Sequence, residues 1–370
     1  MKVPFFDLRT GQSQLKKDLM AAVETVLDHG RLFLGPEVEE LESEISRYLG
    51  CKYAVGVDSG SSALFLALKA SGIGPGDEVI TTPLTWIISA NAIAACGADP
   101  VFVDVLDDFT IDPVSVESMI STKTKAVVPM HYAGQMCDMQ KLTSIAKSND
   151  LLIIEDAAQA FGASLCGKNA GTFSTTAAGF SLNPMKAFGG YGEAGVVVTD
   201  DELIYRKIKR LRHAGTTSDP KKIVTNYCED ISLNHKMDTI NAALLLVAMR
   251  YLPEKQKRKE QIASMLRDGL PSAIQSQRVL SEHVHGRYVY PIRSSSRDAL
   301  KSFLEEHQIE TKIMHEPLVC DAPIFKMCRA SSENAREVLN SSLVIPSHEK
   351  LSREQVQYII DVVSAFIEQN

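Results

Sequence analysis

The chain lacks most of the features that mark specialised protein classes. Its seven cysteines (Cys51, Cys96, Cys137, Cys166, Cys228, Cys320, Cys328) are scattered, and no CxxC pair occurs. An odd, dispersed set argues against a disulfide framework and against a Cys-type zinc site, and it suits a reducing compartment. No metal site is expected. No apolar run approaches the length of a membrane span. At the N-terminus Asp7 and Arg9 arrive before a signal core could form, so a soluble, cytoplasmic protein with no membrane partner is expected. Basic charge is also short: 39 Lys+Arg stand against 46 Asp+Glu, for a net charge of −7. That balance argues against non-specific nucleic-acid binding. Neither GxxxxGK[ST] nor GxGxxG occurs in a strand–turn–helix context, so a nucleotide loop is discounted. There is no internal repeat and no low-complexity tract.

What remains is ordinary globular material. The 370 residues are 45% hydrophobic and 23% charged, enough for a sizeable core and too long for a usual single one. Pro36 can open a helix with Val38, Leu41 and Ile45 on one face. From Lys52 short β-branched runs alternate with helical stretches such as 63–71 and 113–121. Strands are expected at 53–57, 79–82, 101–105, 125–130, 151–155, 177–181 and 195–199. Several are apolar on both faces, as central strands covered by helices on both sides would be. The fold class expected is α/β, with a mainly parallel seven-stranded sheet between helices. After about residue 240 the rhythm changes. A long helix over 238–268, broken near Pro253, precedes a strand at 287–292 and helices at 298–306 and 353–368. This divides the chain into a large domain over 1–245, with an N-terminal helical segment, and a smaller α+β domain over 246–370. The basic run EKQKRKE (254–260) reads as a solvated helix face rather than a nucleic-acid patch.

Ligands of open α/β sheets sit beyond the carboxyl ends of the strands, so those ends carry the argument. The first strand ends in Asp58-Ser59-Gly60-Ser61-Ser62, and a helix follows. Small residues there make either a phosphate cradle or a plain N-cap. Trp86, the sole tryptophan, follows the second strand and is either a stacking plate or core. The fifth strand ends in Glu155-Asp156, with Gln159 beyond it. A carboxylate there can cap a helix or hold a protonated ring nitrogen. The sixth runs through Ser181 into Asn183-Pro184-Met185-Lys186 and the glycine-rich 189–195. A lysine between a sheet edge and such a turn can be desolvated into a nucleophile, or it can lie on the surface. Pyridoxal phosphate requires all four features together: a phosphate anchor, a stacking partner, an anion for its pyridinium and an amine for its aldehyde.

The order of motifs resembles the DegT/DnrJ/EryC1/StrS sugar aminotransferases, a branch of the fold-type I pyridoxal-phosphate enzymes. The likeness runs through VPFFDL (3–8), GRLFLGPEVEELE (30–42), DSGSSALFLAL (58–68), GIGPGDEVITTPLTW (72–86), EDAAQAFGA (155–163), FSLNPMKAFGGYGEAGVVVTDD (180–201) and LNHKMDTINAALL (233–245). The resemblance implies an aspartate-aminotransferase-like architecture with pyridoxal 5'-phosphate as cofactor. It implies Lys186 as the residue that holds the cofactor covalently and shuttles protons. Asp156 would pair with the pyridinium nitrogen, Gln159 would lie near the phenolic oxygen and Trp86 would stack on the ring. Gly60, Ser61, Ser62 and Ser181 would contact the phosphate. Asn234 would reach the phosphate of a neighbouring subunit, which implies a homodimer with shared active sites. The partners implied are an amino-acid donor, L-glutamate or glutamine, and a nucleotide-linked keto-sugar. His315 and Tyr191 are candidates for substrate contact. Asn183 stands where histidine is common in the family, and the segment 314–320 departs from the usual PxPLH, where relatives meet their sugars. The rival readings are a sugar dehydratase using the same cofactor and a cofactor-binding regulator without turnover.

Overall fold

The computed structural model describes residues 1–11, 13–216, 227–279 and 282–369. In chain order the strands are Tyr53–Val57 (β1), Glu78–Thr81 (β2), Asp99–Phe102 (β3), Thr124–Val127 (β4), Leu152–Asp156 (β5), Ser164–Leu165 (β6), Lys168–Asn169 (β7), Ala177–Ser181 (β8), Gly195–Thr199 (β9), Gln275–Ser276 (β10), His283–Val284 (β11), Tyr290–Arg293 (β12) and Ser342–Ile345 (β13). The α-helices are Ser13–His29 (α1), Pro36–Leu49 (α2), Gly60–Ala70 (α3), Ile88–Ala95 (α4), Pro113–Ser118 (α5), Met139–Ser148 (α6), Glu202–Arg212 (α7), Thr239–Gly269 (α8), Arg297–Glu306 (α9), Glu333–Ser341 (α10) and Arg353–Gln369 (α11).

The large sheet has seven strands in the order β1-β9-β8-β5-β4-β2-β3. Adjacent pairs from β8 through β3 are parallel, and β9 runs antiparallel to both β8 and β1. All strands except β9 therefore point the same way, and their carboxyl ends share one edge. Alternation explains why these runs are apolar throughout. Ile80, Val127, Ile153, Val196 and Val198 face one core, with Val38, Leu41 and Ile45 of α2 and Leu245 of α8. Val79, Val128, Ile154 and Val197 face the other, with Leu64 and Leu68 of α3 and Leu211 of α7. Every second side chain of a pleated strand points to the opposite face, so a sheet covered on both sides needs both sets apolar.

Helix ends follow local chemistry. Pro36 starts α2, and Gly50 ends it in the left-handed region at φ 78°. Asp201 caps α7 through the N–H groups of Leu203 and Ile204, and Asp238 caps α8 through Asn241.

The smaller body packs β12 between β10 and β13, antiparallel to both, against α9, α11 and the end of α8. Three details differ from the sequence reading. The helix expected to break near Pro253 runs on for 31 residues with Pro253 inside it. Its first half packs in the large core through Ala242, Leu245 and Leu252; its second half packs in the small one through Ile262, Ala263 and Leu266. Held at both ends, it survives the missing backbone donor, and the expected boundary at 245/246 falls within it. Second, Val3 belongs to the small core and bridges Ile309 in parallel, so the chain starts in that body. Third, the strand expected from 287 begins at Tyr290. Before it, Gly286 and Tyr288 donate their N–H groups to Gly134 and Ala133 of the large domain.

Restoring the backbone donor at position 253 should stabilise α8. Pro253→Ala is expected to raise the unfolding free energy by about 1–3 kcal/mol in urea titration. An unchanged or lower value would show that the missing donor at Pro253 costs α8 nothing in this setting.

Candidate active site

The first strand delivers the cradle. Ser59 caps α3 by accepting the Ser62 N–H at 3.1 Å. The preceding first-turn N–H groups, of Gly60 and Ser61, have no intrahelical partner and face outward as anion donors. Gly60 lies hard against Ser181 at the end of β8: a Cβ on it would sit 2.5 Å from the Ser181 Cβ. That close approach requires glycine and brings the two strand ends together. Ser62 has partners within the chain. Its N–H is taken by Ser59, and its hydroxyl lies 2.8 Å from His235 Nδ1. Ser62 thus braces the cradle that Gly60, Ser61 and Ser181 line, and the Ser181 hydroxyl accepts the Asn183 N–H at 3.4 Å. Asn234 is exposed and meets its own turn, where Oδ1 accepts the Lys236 N–H at 3.3 Å.

Lys186 is presented by a turn that Asn183 builds. Asn183 Oδ1 accepts the Met185 N–H at 3.0 Å, its carbonyl accepts the Lys186 N–H at 2.9 Å, and its amide donates to Glu193 at 2.6 Å. The asparagine that replaces a common histidine thus has a structural task. The Lys186 Nζ lies 4.5 Å from the centre of the Tyr288 ring and forms no ion pair within 4.0 Å among the described residues. Burial lowers its pKa to about 8, against the opposing pull of Asp156 and Glu193. At neutral pH about a tenth of such an amine is uncharged, against less than a thousandth for an ordinary lysine.

Asp156, buried at the end of β5, accepts a 2.6 Å hydrogen bond from Ser89 Oγ on Oδ2 and one from the Ala158 N–H on Oδ1. Gln159 Oε1 accepts the Ala133 N–H at 2.7 Å, and its Nε2 lies 3.3 Å from His315 Nε2. Burial, reinforced by the charge of Lys186, pulls the His315 pKa down to about 3. A neutral imidazole suits an amide donor. His315, Gln159, Asp156 and Lys186 thus converge as the sequence suggested. Trp86 is 64% exposed, so it is not core but an open plate beyond β2. Tyr191 is also exposed, with its hydroxyl bonded to Thr10, and it lines a neighbouring cavity.

Other residues of this region escaped sequence reading. Tyr288 comes from the small body and faces Lys186. Tyr132 presents its ring edge-on to His315, 5.5 Å between centres, and its buried hydroxyl has no hydrogen-bond partner among the described residues. Beneath Asp156, His131 and Glu155 form a fully buried 2.7 Å pair. His131 Nδ1 accepts the Cys137 N–H, so Nε2 is the donor to Glu155. Only Glu155 had a local signal, as an acid after four apolar residues. The basic run at 254–260 is not simply a solvated face. Lys259 is buried and donates to the carbonyls of Arg287 and Tyr288 at 3.0 and 3.4 Å, and Lys255 lines a cavity.

Among known proteins, the profile of the DegT/DnrJ/EryC1/StrS aminotransferase family matches residues 13–364. The chain belongs to this family. It is 36% identical to a "Pleiotropic regulatory protein" of Geobacillus stearothermophilus, over 99% of each chain. It is also 36% identical to the dTDP-3-amino-3,4,6-trideoxy-alpha-D-glucose transaminase of Streptomyces venezuelae, over 99% of this chain and 97% of that one. The crystal structure of S. venezuelae DesV in complex with ketimine intermediate superimposes with a TM-score of 0.93, at 35% identity and 99% coverage of both chains. The expected fold class is therefore correct.

Two outcomes test this geometry. In cofactor-free protein, Lys186 should react with an amine-directed reagent with a midpoint near pH 8, followed by mass spectrometry at that residue. Asp156 holds the ammonium form, so Asp156→Asn should move the midpoint lower. A midpoint near the ordinary lysine value of about 10.4 would show that the amine is solvated. Gly60→Ala drives a methyl into Ser181 and should weaken cofactor retention by more than ~1 kcal/mol in equilibrium dialysis.

Proposed function

We propose that the protein is a pyridoxal-phosphate-dependent aminotransferase that moves an amino group from L-glutamate, or glutamine, to a nucleotide-linked keto-sugar. The observation that carries this reading is the Lys186 amine, desolvated between Asp156 and the Tyr288 ring at the edge where the strand ends converge. The residues fit the cofactor. Gly60, Ser61 and Ser181 offer an anion cradle, Asp156 offers a hydrogen-bonded carboxylate and Trp86 offers an exposed ring.

The cofactor, when bound, supplies an electron sink for the carbon that loses its proton. Everything else falls to side chains of the chain. Asp156, oriented by the hydrogen bonds from Ser89 and Ala158, would hold a proton on the cofactor's ring nitrogen. Gln159, fixed by the Ala133 N–H and lying 3.3 Å from His315, would contact the cofactor's phenolic oxygen. Lys186, largely screened from water and with its pKa lowered to about 8, would take the proton from the donor's α-carbon and return it one position away. In the second half of the cycle it runs the same transfer in reverse on the sugar. Asn234, exposed on its turn, would complete the phosphate site of a second protomer, so the working unit is a homodimer. Tyr191 and His315 would meet the sugar.

The relative named as a transaminase of a dTDP-sugar supports the nucleotide-linked acceptor. A regulator without turnover is the second reading, favoured by the relative named as a pleiotropic regulatory protein. One experiment separates them. The protein loaded with pyridoxal phosphate should show a visible band that L-glutamate or L-glutamine bleaches, and a keto-sugar nucleotide should restore the band as amino sugar forms. Lys186→Ala should lose at least about 10²–10⁴ in rate. A band that ignores both amino acids would overturn the transaminase reading, and bleaching by a donor that no keto-sugar reverses would favour a regulator.

A further inference from the structure

Trp86 rises from a turn whose neighbouring residues are closed to water. Leu84, Thr85 and Ser89 are each no more than 1% exposed, against 64% for Trp86. The turn is pinned at several points. Thr82 Oγ1 accepts the Leu84 N–H at 3.1 Å, and the Pro83 carbonyl accepts the N–H of Val319, far along the chain, at 2.9 Å. The Trp86 carbonyl accepts the Ser89 N–H at 3.1 Å, which sets Ser89 in the first turn of α4.

Inside the turn two hydroxyls form a chain. Thr85 Oγ1 lies 2.7 Å from Ser89 Oγ, and Ser89 Oγ lies 2.6 Å from Asp156 Oδ2. Chemistry fixes the direction of this chain. A carboxylate only accepts, so the single Ser89 proton goes to Asp156, and Thr85 must donate to Ser89. The 2.6 Å separation is that of a hydroxyl bound to a carboxylate, and bonds running in one direction polarise one another. Buried as they are, neither hydroxyl can trade its partner for water. Asp156 Oδ1 is held separately by the Ala158 N–H at 3.2 Å. Both oxygens are thereby fixed, and each keeps a lone pair for a further donor.

We propose that Thr85 and Ser89 are positioning residues: their hydroxyl chain aims Asp156 at the cofactor's ring nitrogen, in register with the Trp86 plate on the same turn. The proposal rests on the aminotransferase reading only in taking pyridoxal phosphate as the cofactor. One turn then serves two contacts of one ring, its face through Trp86 and its nitrogen through Asp156. A carboxylate free to rotate would spread its charge over several orientations, and the chain selects one. Thr85 reaches Asp156 only through Ser89, so its contribution disappears when the Ser89 hydroxyl does.

Equilibrium dialysis of the full-length, cofactor-free protein tests this with two probes. One is pyridoxamine phosphate, which forms no imine with Lys186; the other is its deaza analogue, in which a C–H replaces the ring nitrogen. The wild type should hold pyridoxamine phosphate more tightly than the analogue. Ser89→Ala suits the helix and removes one hydroxyl. It should reduce that preference about tenfold or more, as loss of a hydrogen bond to a charged group does. Thr85→Val, nearly isosteric, should reduce it about two- to tenfold. The double variant should match Ser89→Ala within about twofold, because both residues act along one chain. Ser89→Thr should restore the preference. A merely structural pair would weaken both probes equally and leave the preference unchanged, and that result overturns the proposal. Additive losses in the double variant, or a wild type without preference, overturn it as well. Bleaching of the loaded wild type by L-glutamate is scored separately. A protein that bleaches while Ser89→Ala keeps the full preference retains its function and loses this relay.

Discussion

Desolvation of the Lys186 amine governs how the surrounding elements are arranged. An ammonium group taken from water needs either a close anion or a lowered pKa. The protein takes the second course. Asp156 and Glu193 act on Lys186 through space, but neither forms an ion pair with it, and the face of Tyr288 lies 4.5 Å away. A tight carboxylate partner would have kept the amine protonated and useless as a base. Asp156 is instead occupied by Ser89 and its own turn. That leaves its charge available across the site without quenching the lysine.

This arrangement explains why two bodies are tied together at one place. Tyr288 comes from the small body, yet its backbone N–H is bound to Ala133 of the large one. Ala133 is in turn held by Gln159, and Lys259 fixes the carbonyls on either side of the Arg287–Tyr288 peptide. The ring over the lysine is therefore placed by bonds from several distant parts of the chain. Such convergence supplies the positional rigidity that proton transfer between neighbouring carbons demands.

Much of the fold was legible because the sheet's physics is local. Runs such as LLIIE and GVVVT are apolar at successive positions, which only a doubly covered strand explains. The cradle and Lys186 were legible for a related reason: small residues, glycines and an Asn-Pro break sit at strand ends and write themselves into short motifs. Tyr288, Tyr132 and the His131–Glu155 pair were not, because their meaning lies in partners far along the chain. The basic run at 254–260 was misread for a similar reason. Its composition signals a solvated face, which Lys257 keeps, but α8 is gripped on both sides, so Lys259 turns inward to carbonyls and Lys255 to a cavity. The contact of Ser62 with His235 was illegible for the same reason, since nothing local shows that His235 stands opposite its hydroxyl.

The continuity of α8 has a mechanical consequence. At about 1.5 Å per residue, its 31 residues form a rod roughly 46 Å long, clamped in two separate cores. A clamped rod cannot slide or swivel freely; it can only flex. Any rocking of the small body against the large one is therefore stored as curvature along this helix. The curvature gathers where the ladder of backbone bonds is interrupted, at Pro253. Lys255 stands two residues from that weak point. Flexing at that point would carry Lys255, and the cavity wall it forms, with it.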